Sequence, residues 1–214
     1  IVVPELFEKM NIKIIPLFCD IDPSFPNHHP DPTVDSNLSD LIDKVVKNKS
    51  DLGIAYDGDA DRLIVVDDKG RIIRSDILLS LFVLHFINHN DSVVYDVKCS
   101  QALEDVIAFK KAVPVMSKTG HSIIKDEMIK SNAKIGGEMS GHIFFSDPYF
   151  GFDDAIYVSL RLLELISQLN KPLSELIDSI PKYESTAEIR LECINDKEKE
   201  IFVDRIVDYF SKNY

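Results

Sequence analysis

Asp57-Gly58-Asp59-Ala60-Asp61-Arg62 sets three carboxylates at every second position, separates them with the two smallest residues and closes on an arginine. Like charges this close repel and raise one another's pKa. A divalent cation removes the conflict. Mg²⁺ takes hard oxygen ligands, demands octahedral geometry and completes it with water or substrate phosphate. Asp57, Asp59 and Asp61 are therefore candidate metal ligands. Gly58 and Ala60 allow the backbone to curl so that the three side chains converge. The plain alternative is an acidic turn between two strands. An EF-hand fails, because its loop needs Gly at the sixth position and Glu at the twelfth, where this chain has Arg62 and Asp68.

A second set of reactive side chains follows. Lys98, Lys118, His121, Glu138, Ser140 and His142 fall in three short polar segments, with Gly120, Gly137 and Gly141 permitting close backbone approach. Lys and His neutralise phosphate, while Glu and Ser hydrogen-bond hydroxyls. The set suits a hydroxylated, phosphorylated small molecule. Each residue alone reads as an ordinary surface polar group; their shared placement is what gives them weight.

That placement rests on the elements around them. The apolar runs 52–56 and 63–66 enter and leave the acidic loop as strands, and Asp68-Lys69-Gly70 turns the chain into 71–73. This is a hairpin, so the sheet is expected to be mixed. Strand, polar loop and crossover then recur: strands at 92–97, 112–116 and 133–136, helices at 101–109 and 123–131, and a further strand at 143–145. Strand–helix alternation is the pattern of a layered α/β domain. Strands joined by helical crossovers run parallel, so the loops at 98, 118 and 138 should open on one edge. The fold class expected is α/β, with layered mixed sheets and helices.

Upstream, residues 5–10 read as the end of a helix and 12–18 as an edge strand, because Pro16 lacks a donor. Residues 20–36 form an irregular crossing stiffened by Pro23, Pro26, Pro30 and Pro32. Its tandem His28-His29 is expected to serve loop packing or an anionic group rather than a metal. Ser36 or Asn37 can cap a helix to about Lys49, and Ser75 or Asp76 one to about Asn88. His85 and His89 stand four apart, but Phe86 sits where a zinc-protease motif needs Glu. Asp153 and Asp154 suit the start of a helix to 169. Pro172 opens a short helix to Ile180, 183–193 reads as a strand, and 196–212 as a charged amphipathic helix.

The bulk numbers bound the rest. A chain of 214 residues supports one or two domains. The net charge of −12 argues against sequence-independent nucleic-acid binding. Cys19, Cys99 and Cys193 are far apart in sequence and read as reduced thiols of a cytoplasmic protein. The longest apolar stretch, 77–87, is too short to span a bilayer, so no membrane is expected. The chain opens on Ile1 without a methionine and ends inside a helical pattern, as a fragment of a longer protein would.

Asp57-Gly58-Asp59-Ala60-Asp61-Arg62, Asp96-Val97-Lys98-Cys99, Lys118-Thr119-Gly120-His121-Ser122 and Gly137-Glu138-Met139-Ser140-Gly141-His142 occur in this order. Together they resemble the α-D-phosphohexomutases, and the last looks most like the phosphomannomutase/phosphoglucomutase branch. Asn27-His28-His29-Pro30-Asp31-Pro32 and Phe150-Gly151-Phe152-Asp153-Asp154 also fit, so the resemblance covers essentially the whole chain. It implies phosphohexomutase-type domains: 1–72 as the later part of a second domain with the metal loop, 73–180 as a third with the sugar loop, and 181–214 as the start of a fourth. It implies Mg²⁺ on Asp57, Asp59 and Asp61, and catalytic roles for Arg62, Lys98 and His121. Arg62 would sit against the transferring phosphoryl group. Lys98 would act as acid/base or charge stabiliser. His121 would lie near sugar or phosphate. Substrate would be held by Lys98, Lys118, His121, Glu138, Met139, Ser140, Gly141 and His142, Glu138 and Ser140 reading sugar hydroxyls.

The reaction so implied interconverts hexose 1-phosphate and hexose 6-phosphate, of mannose or glucose, through a phosphoserine and a hexose 1,6-bisphosphate intermediate. The chain departs from the pattern in holding no Thr-Ala-Ser-His-Asn-Pro segment and no Arg-x-Ser-Gly-Thr loop. It is therefore expected to be inactive alone and to bind Mg²⁺ weakly, since the family fills one metal position with a phosphoserine oxygen. The rivals are a non-catalytic phosphosugar-binding module and a Mg²⁺-dependent phosphatase with an Asp nucleophile.

Overall fold

The structure is a computed structural model and describes residues 2–184 and 192–213. The chain divides into two compact units, Ile1–Tyr183 and Glu184–Tyr214. In the second, residues Asp196–Asn213 form one helix, here α8, whose side chains are all exposed. The strand expected over 183–193 falls largely on residues outside those described.

In the first unit, α1 (Val2–Lys9) leads into an irregular segment. The edge strand expected at 12–18 does not form. None of the strands among the described residues pairs with it, and Pro16 withholds a donor, so no ladder holds it extended. The proline-rich crossing is irregular, as its sequence requires, and ends in a 3-10 turn, Asp35–Leu38. Helix α2 (Ser39–Asn48) follows without a side-chain cap. Asn37 is not free to cap it, because its amide donates to the carbonyls of His29 and Asp31 and braces the loop. Arg74 holds the same turn with two 2.8 Å bonds to Asp35.

Strands β1 (Leu52–Tyr56), β2 (Leu63–Asp67) and β3 (Ile72–Ile73) make an antiparallel sheet of order β1-β2-β3. The hairpin thus has a sheet of its own, which corrects the expectation that it joins a mixed one. The mixed sheet is the second, of order β5-β4-β6-β7, built from β4 (Ser92–Asp96), β5 (Val113–Ser117), β6 (Ile135–Gly137) and β7 (Ile143–Phe145). Strands β5, β4 and β6 run parallel and β7 antiparallel to β6. Helical crossovers α4 (Gln101–Phe109) and α5 (His121–Ser131) impose the parallel sense, and the short loop after β6 imposes the antiparallel one.

Helix α3 (Ser75–Phe86) is apolar on nearly every face and is buried accordingly. Its expected caps are otherwise engaged: Arg74 takes the N-cap position, and the Asp76 carboxylate accepts from Ile77 and from Ser100 across the fold. Leu78, Leu79, Leu81 and Phe82 pack in one core with Leu63 and Val65 of the first sheet and Val93, Tyr95 and Ile135 of the second. On the opposite face, Val94 packs with Ile124 and Met128 of α5 and with Phe144. The second sheet is thus covered on both sides, which is why β4 reads as a continuous apolar run rather than an alternating one. Helices α6 (Ala155–Leu169) and α7 (Leu173–Asp178) complete the unit. Asp154 caps α6 by accepting from Tyr157 N–H at 2.9 Å.

Candidate functional site

The parallel register fixes where the chemistry collects. Asp96 and Ser117 pair at the ends of β4 and β5, and Tyr95 pairs with Gly137 of β6. The loops after these strands therefore leave the same edge. The loop after β6 is the most ordered by its own bonds. Glu138, 2% exposed, accepts from Gly120 N–H at 2.5 Å, which ties this loop to the one after β5. His142 Nδ1 lies 3.0 Å from Glu138 and 2.9 Å from Ser140 Oγ. Burial opposes charge on both partners. The bond from His142 and that from Gly120 nevertheless hold Glu138 below the ordinary carboxylate range. Glu138 and Asp61 likewise hold His142 above the usual imidazole value. Each partner thus favours the charged form of the other.

The acidic loop meets this loop directly. Leu63 N–H donates to Gly141 O at 3.1 Å, and His142 Nε2 reaches Asp61 Oδ2 at 3.2 Å. Gly141 has φ +111° and a Cβ there would lie 3.2 Å from Arg62 Cβ. Only glycine adopts this conformation without strain and admits this approach. The other side of the acidic loop is held by Ala155 N–H, which donates to Ala60 O at 3.0 Å.

Within the acidic loop, carboxylate oxygens of Asp57, Asp59 and Asp61 lie within 4.8 Å of one another. Asp57 is buried; its Oδ1 accepts from the backbone N–H of Asp61 and Arg62, and its Oδ2 from Arg62 Nε at 2.6 Å. Burial pushes Asp57 up, yet Asp61 and Arg62 outweigh it and hold the carboxyl low. Asp61 is the reverse: burial, then its carboxylate neighbours, raise it despite His142. Asp61 Oδ1 is buried and has no hydrogen-bond partner among the described residues, Arg62 Nε approaching it only to 3.8 Å. An orphaned buried oxygen beside two further carboxylates fits a hard divalent cation. Arg62 faces the carboxylates, bonding Asp57 and also Asp31 at 3.2 Å.

Of the residues singled out in the sequence, the structure brings together Asp57, Asp59, Asp61, Arg62, Glu138, Ser140, Gly141 and His142. His121 joins them, its ring stacked on His142 with centroids 5.5 Å apart. Met139 lies in the same loop, its N–H 3.4 Å from Asp96. Lys98 and Lys118 stand exposed at the ends of their strands, and none of the ion pairs among the described residues engages either. His28 and His29 pack edge-on to Phe18 and Phe25.

Two partners escaped the sequence. Asp153 does not open the helix; it accepts from His121 Nδ1 at 2.8 Å and Lys125 Nζ at 2.7 Å. Asp31 pairs with Arg62 from 31 positions away. Asp31 lies in a segment the sequence marks. Lys125 carries no signal beyond one turn's spacing from His121.

With this geometry in place, the comparisons with known proteins are specific. Residues 74–183 match phosphoglucomutase/phosphomannomutase alpha/beta/alpha domain III, and residues 1–70 match alpha/beta/alpha domain II of the same family. A phosphomannomutase/phosphoglucomutase from Pseudomonas syringae pv. tomato is 47% identical over 193 residues, 89% of this chain and 42% of that protein. A phosphoglucomutase from Neisseria gonorrhoeae is 43% identical over 87% of this chain and 41% of its own length. The crystal structure of a phosphoglucomutase/phosphomannomutase family protein from Burkholderia thailandensis superposes with a TM-score of 0.83 at 41% identity, over 87% of this chain and 41% of that one. The chain spans less than half the length of the relatives it matches.

Proposed function

Because this chain belongs to the phosphoglucomutase/phosphomannomutase family, matching its domains II and III, we propose that it supplies the metal-loop and sugar-loop walls of a phosphohexomutase cleft. The whole protein would interconvert hexose 1-phosphate and hexose 6-phosphate, of glucose or mannose, through a phosphoserine and a hexose 1,6-bisphosphate. Residues 1–72 would be part of the second domain, 73–180 the third, and 181–214 the start of the fourth.

The observation that carries this reading is the junction of the two loops through His142 and Asp61, with Leu63 N–H on Gly141 O. It sets a cation-suited carboxylate cluster beside the loop that would read sugar hydroxyls. Glu138 and Ser140 would accept from and donate to sugar hydroxyls, with Gly120 and His142 fixing the carboxylate. Exposed Lys98 and Lys118 would take phosphate oxygens, and His121, oriented by Asp153, would bond phosphate or sugar. Arg62 would leave one of its carboxylate partners, Asp31, Asp57 or Asp61, to face a phosphoryl group. Asp57, Asp59 and Asp61 would hold Mg²⁺, which when bound neutralises charge on the phosphoryl oxygens. Phosphoryl transfer depends above all on such positioning and neutralisation.

The phosphatase alternative is weakened by Asp57: both of its oxygens are already bonded, so it is poorly placed as a nucleophile. The test is titration of this chain with glucose 1-phosphate, mannose 1-phosphate and both 6-phosphates, with and without Mg²⁺. Hexose phosphates should bind more tightly than hexose or inorganic phosphate, Glu138→Ala should abolish that preference, and no turnover should follow. Equal binding of inorganic phosphate and hexose phosphate would overturn the reading.

A further inference from the structure

Asp96 ends β4 with no exposed surface. None of the cations among the described residues forms an ion pair with it. A buried carboxylate without a cation is costly unless donors surround it, and here the donors come from all three substrate loops. Oδ1 accepts from Cys99 Sγ–H at 3.1 Å in the loop after β4. Oδ2 accepts from Thr119 Oγ–H at 3.1 Å in the loop after β5. Oδ1 is also approached by Met139 N–H at 3.4 Å in the loop after β6. Burial, and after it the Asp96 charge, push the Cys99 thiol far above its ordinary range, so it stays a neutral donor. Asp76 secures the first loop from the other side, accepting from Ser100 N–H at 2.8 Å.

We infer that Asp96 is a positioning residue that holds the loops carrying Lys98, His121 and Glu138–His142 in one register for a hexose phosphate. It touches no substrate. It acts because one rigid strand end presents a single anion that three loops must each reach, so displacement of one loop weakens the hold on the others. The direct bond from Gly120 to Glu138 couples two of these loops; Asp96 ties the loop after β4 to both of them. The inference deepens the function proposed above and rests on it for its ligand.

The test compares the 214-residue chain with Asp96→Ala, Asp96→Asn and Thr119→Val, reading glucose 1-phosphate affinity by calorimetry and backbone amide spectra. Asp96→Ala should lower affinity by about tenfold, the worth of a lost hydrogen bond to a charged group. It should also shift the amides of Cys99, Gly120 and Gly141 together. Asn keeps the shape and one acceptor, and the Thr119 hydroxyl can turn to accept from its amide, so Asp96→Asn should recover most of both signals. Thr119→Val, which leaves the carboxylate in place, should still shift the amides of Cys99 and Met139. A folded Asp96→Ala chain binding within about twofold of wild type overturns the inference. Shifts in Thr119→Val confined to residues 118–121 overturn it too, and that variant decides the matter if Asp96→Ala does not fold. A wild-type chain that binds no hexose phosphate overturns the functional reading instead, and the amide coupling then judges the Asp96 tie by itself.

Discussion

His142 Nε2 lies 3.2 Å from Asp61 Oδ2, so a single imidazole links the loop after β6 to the acidic loop before β2. Its other nitrogen holds Glu138 at 3.0 Å. Replacing it exposes what the link is worth. His142→Ala strips the imidazole partner from a carboxylate that is 2% exposed. A buried charged acceptor left short of a partner costs about 1–3 kcal/mol. Urea unfolding should show a loss of that size with an unchanged slope, and hexose phosphate binding should fall with it. A loss confined to binding would mean that Glu138 finds another partner.

Gly141→Ala probes the same junction without touching charge. At φ +111° an alanine is strained, and its methyl would press on Arg62 Cβ at 3.2 Å and Leu63 O at 3.3 Å. Strained backbone of this kind costs about 1–3 kcal/mol. Thermal unfolding should drop accordingly. The bond from Leu63 N–H to Gly141 O should weaken, which faster hydrogen exchange at Leu63 would report.

The carboxylate cluster predicts a response to Mg²⁺. A ligand that binds only the folded state stabilises it in proportion to its occupancy. Three carboxylates leave several positions to water, so millimolar Mg²⁺ should raise stability by no more than about 1–2 kcal/mol. Asp59 is exposed and outside the hydrogen bonds that hold Asp57 and Asp61. Asp59→Asn should therefore leave the metal-free chain as stable as before and remove the Mg²⁺ increment. An increment that survives the substitution would move the metal elsewhere.

Asp153 gives a pH signature on the His121 side of the site. Burial raises its carboxyl, but Lys125 and His121 outweigh that and hold it below 3.8. Its stabilisation is therefore complete above that value and disappears as pH falls through the lower folded value, because the unfolded chain takes up the proton first. Acid titration followed by circular dichroism should show this loss. In Asp153→Asn the curve should lie lower at neutral pH and be flatter on the acid side.

Much of the site could be read from residue types. Asp57, Asp59 and Asp61 betray themselves by repulsion, which only a shared cation or a network relieves. The three polar loops betray themselves because each follows an apolar run of strand length, and helical crossovers oblige those strands to run parallel. The strand expected at 12–18 fails for the complementary reason. Its pattern is apolar, but a strand exists only where another lends it a ladder, and none of the strands among the described residues pairs with this segment.

What the sequence determined by itself is local: the acidic loop between two strands, the order of strand and helix, and the loops that must share an edge. These follow from period, turn chemistry and the handedness of crossovers, all short-range. The tertiary structure alone decided that the hairpin has its own sheet, that Arg62 turns to Asp31, that His121 rests on Asp153, and that Asp96 gathers three loops. Each of these depends on segments distant in sequence meeting in space, as Leu63, Phe82 and Ile135 meet in the core. Burial there raises the cost of an unpaired polar group. Which partner satisfies that group is settled by proximity in space, and sequence spacing does not encode it.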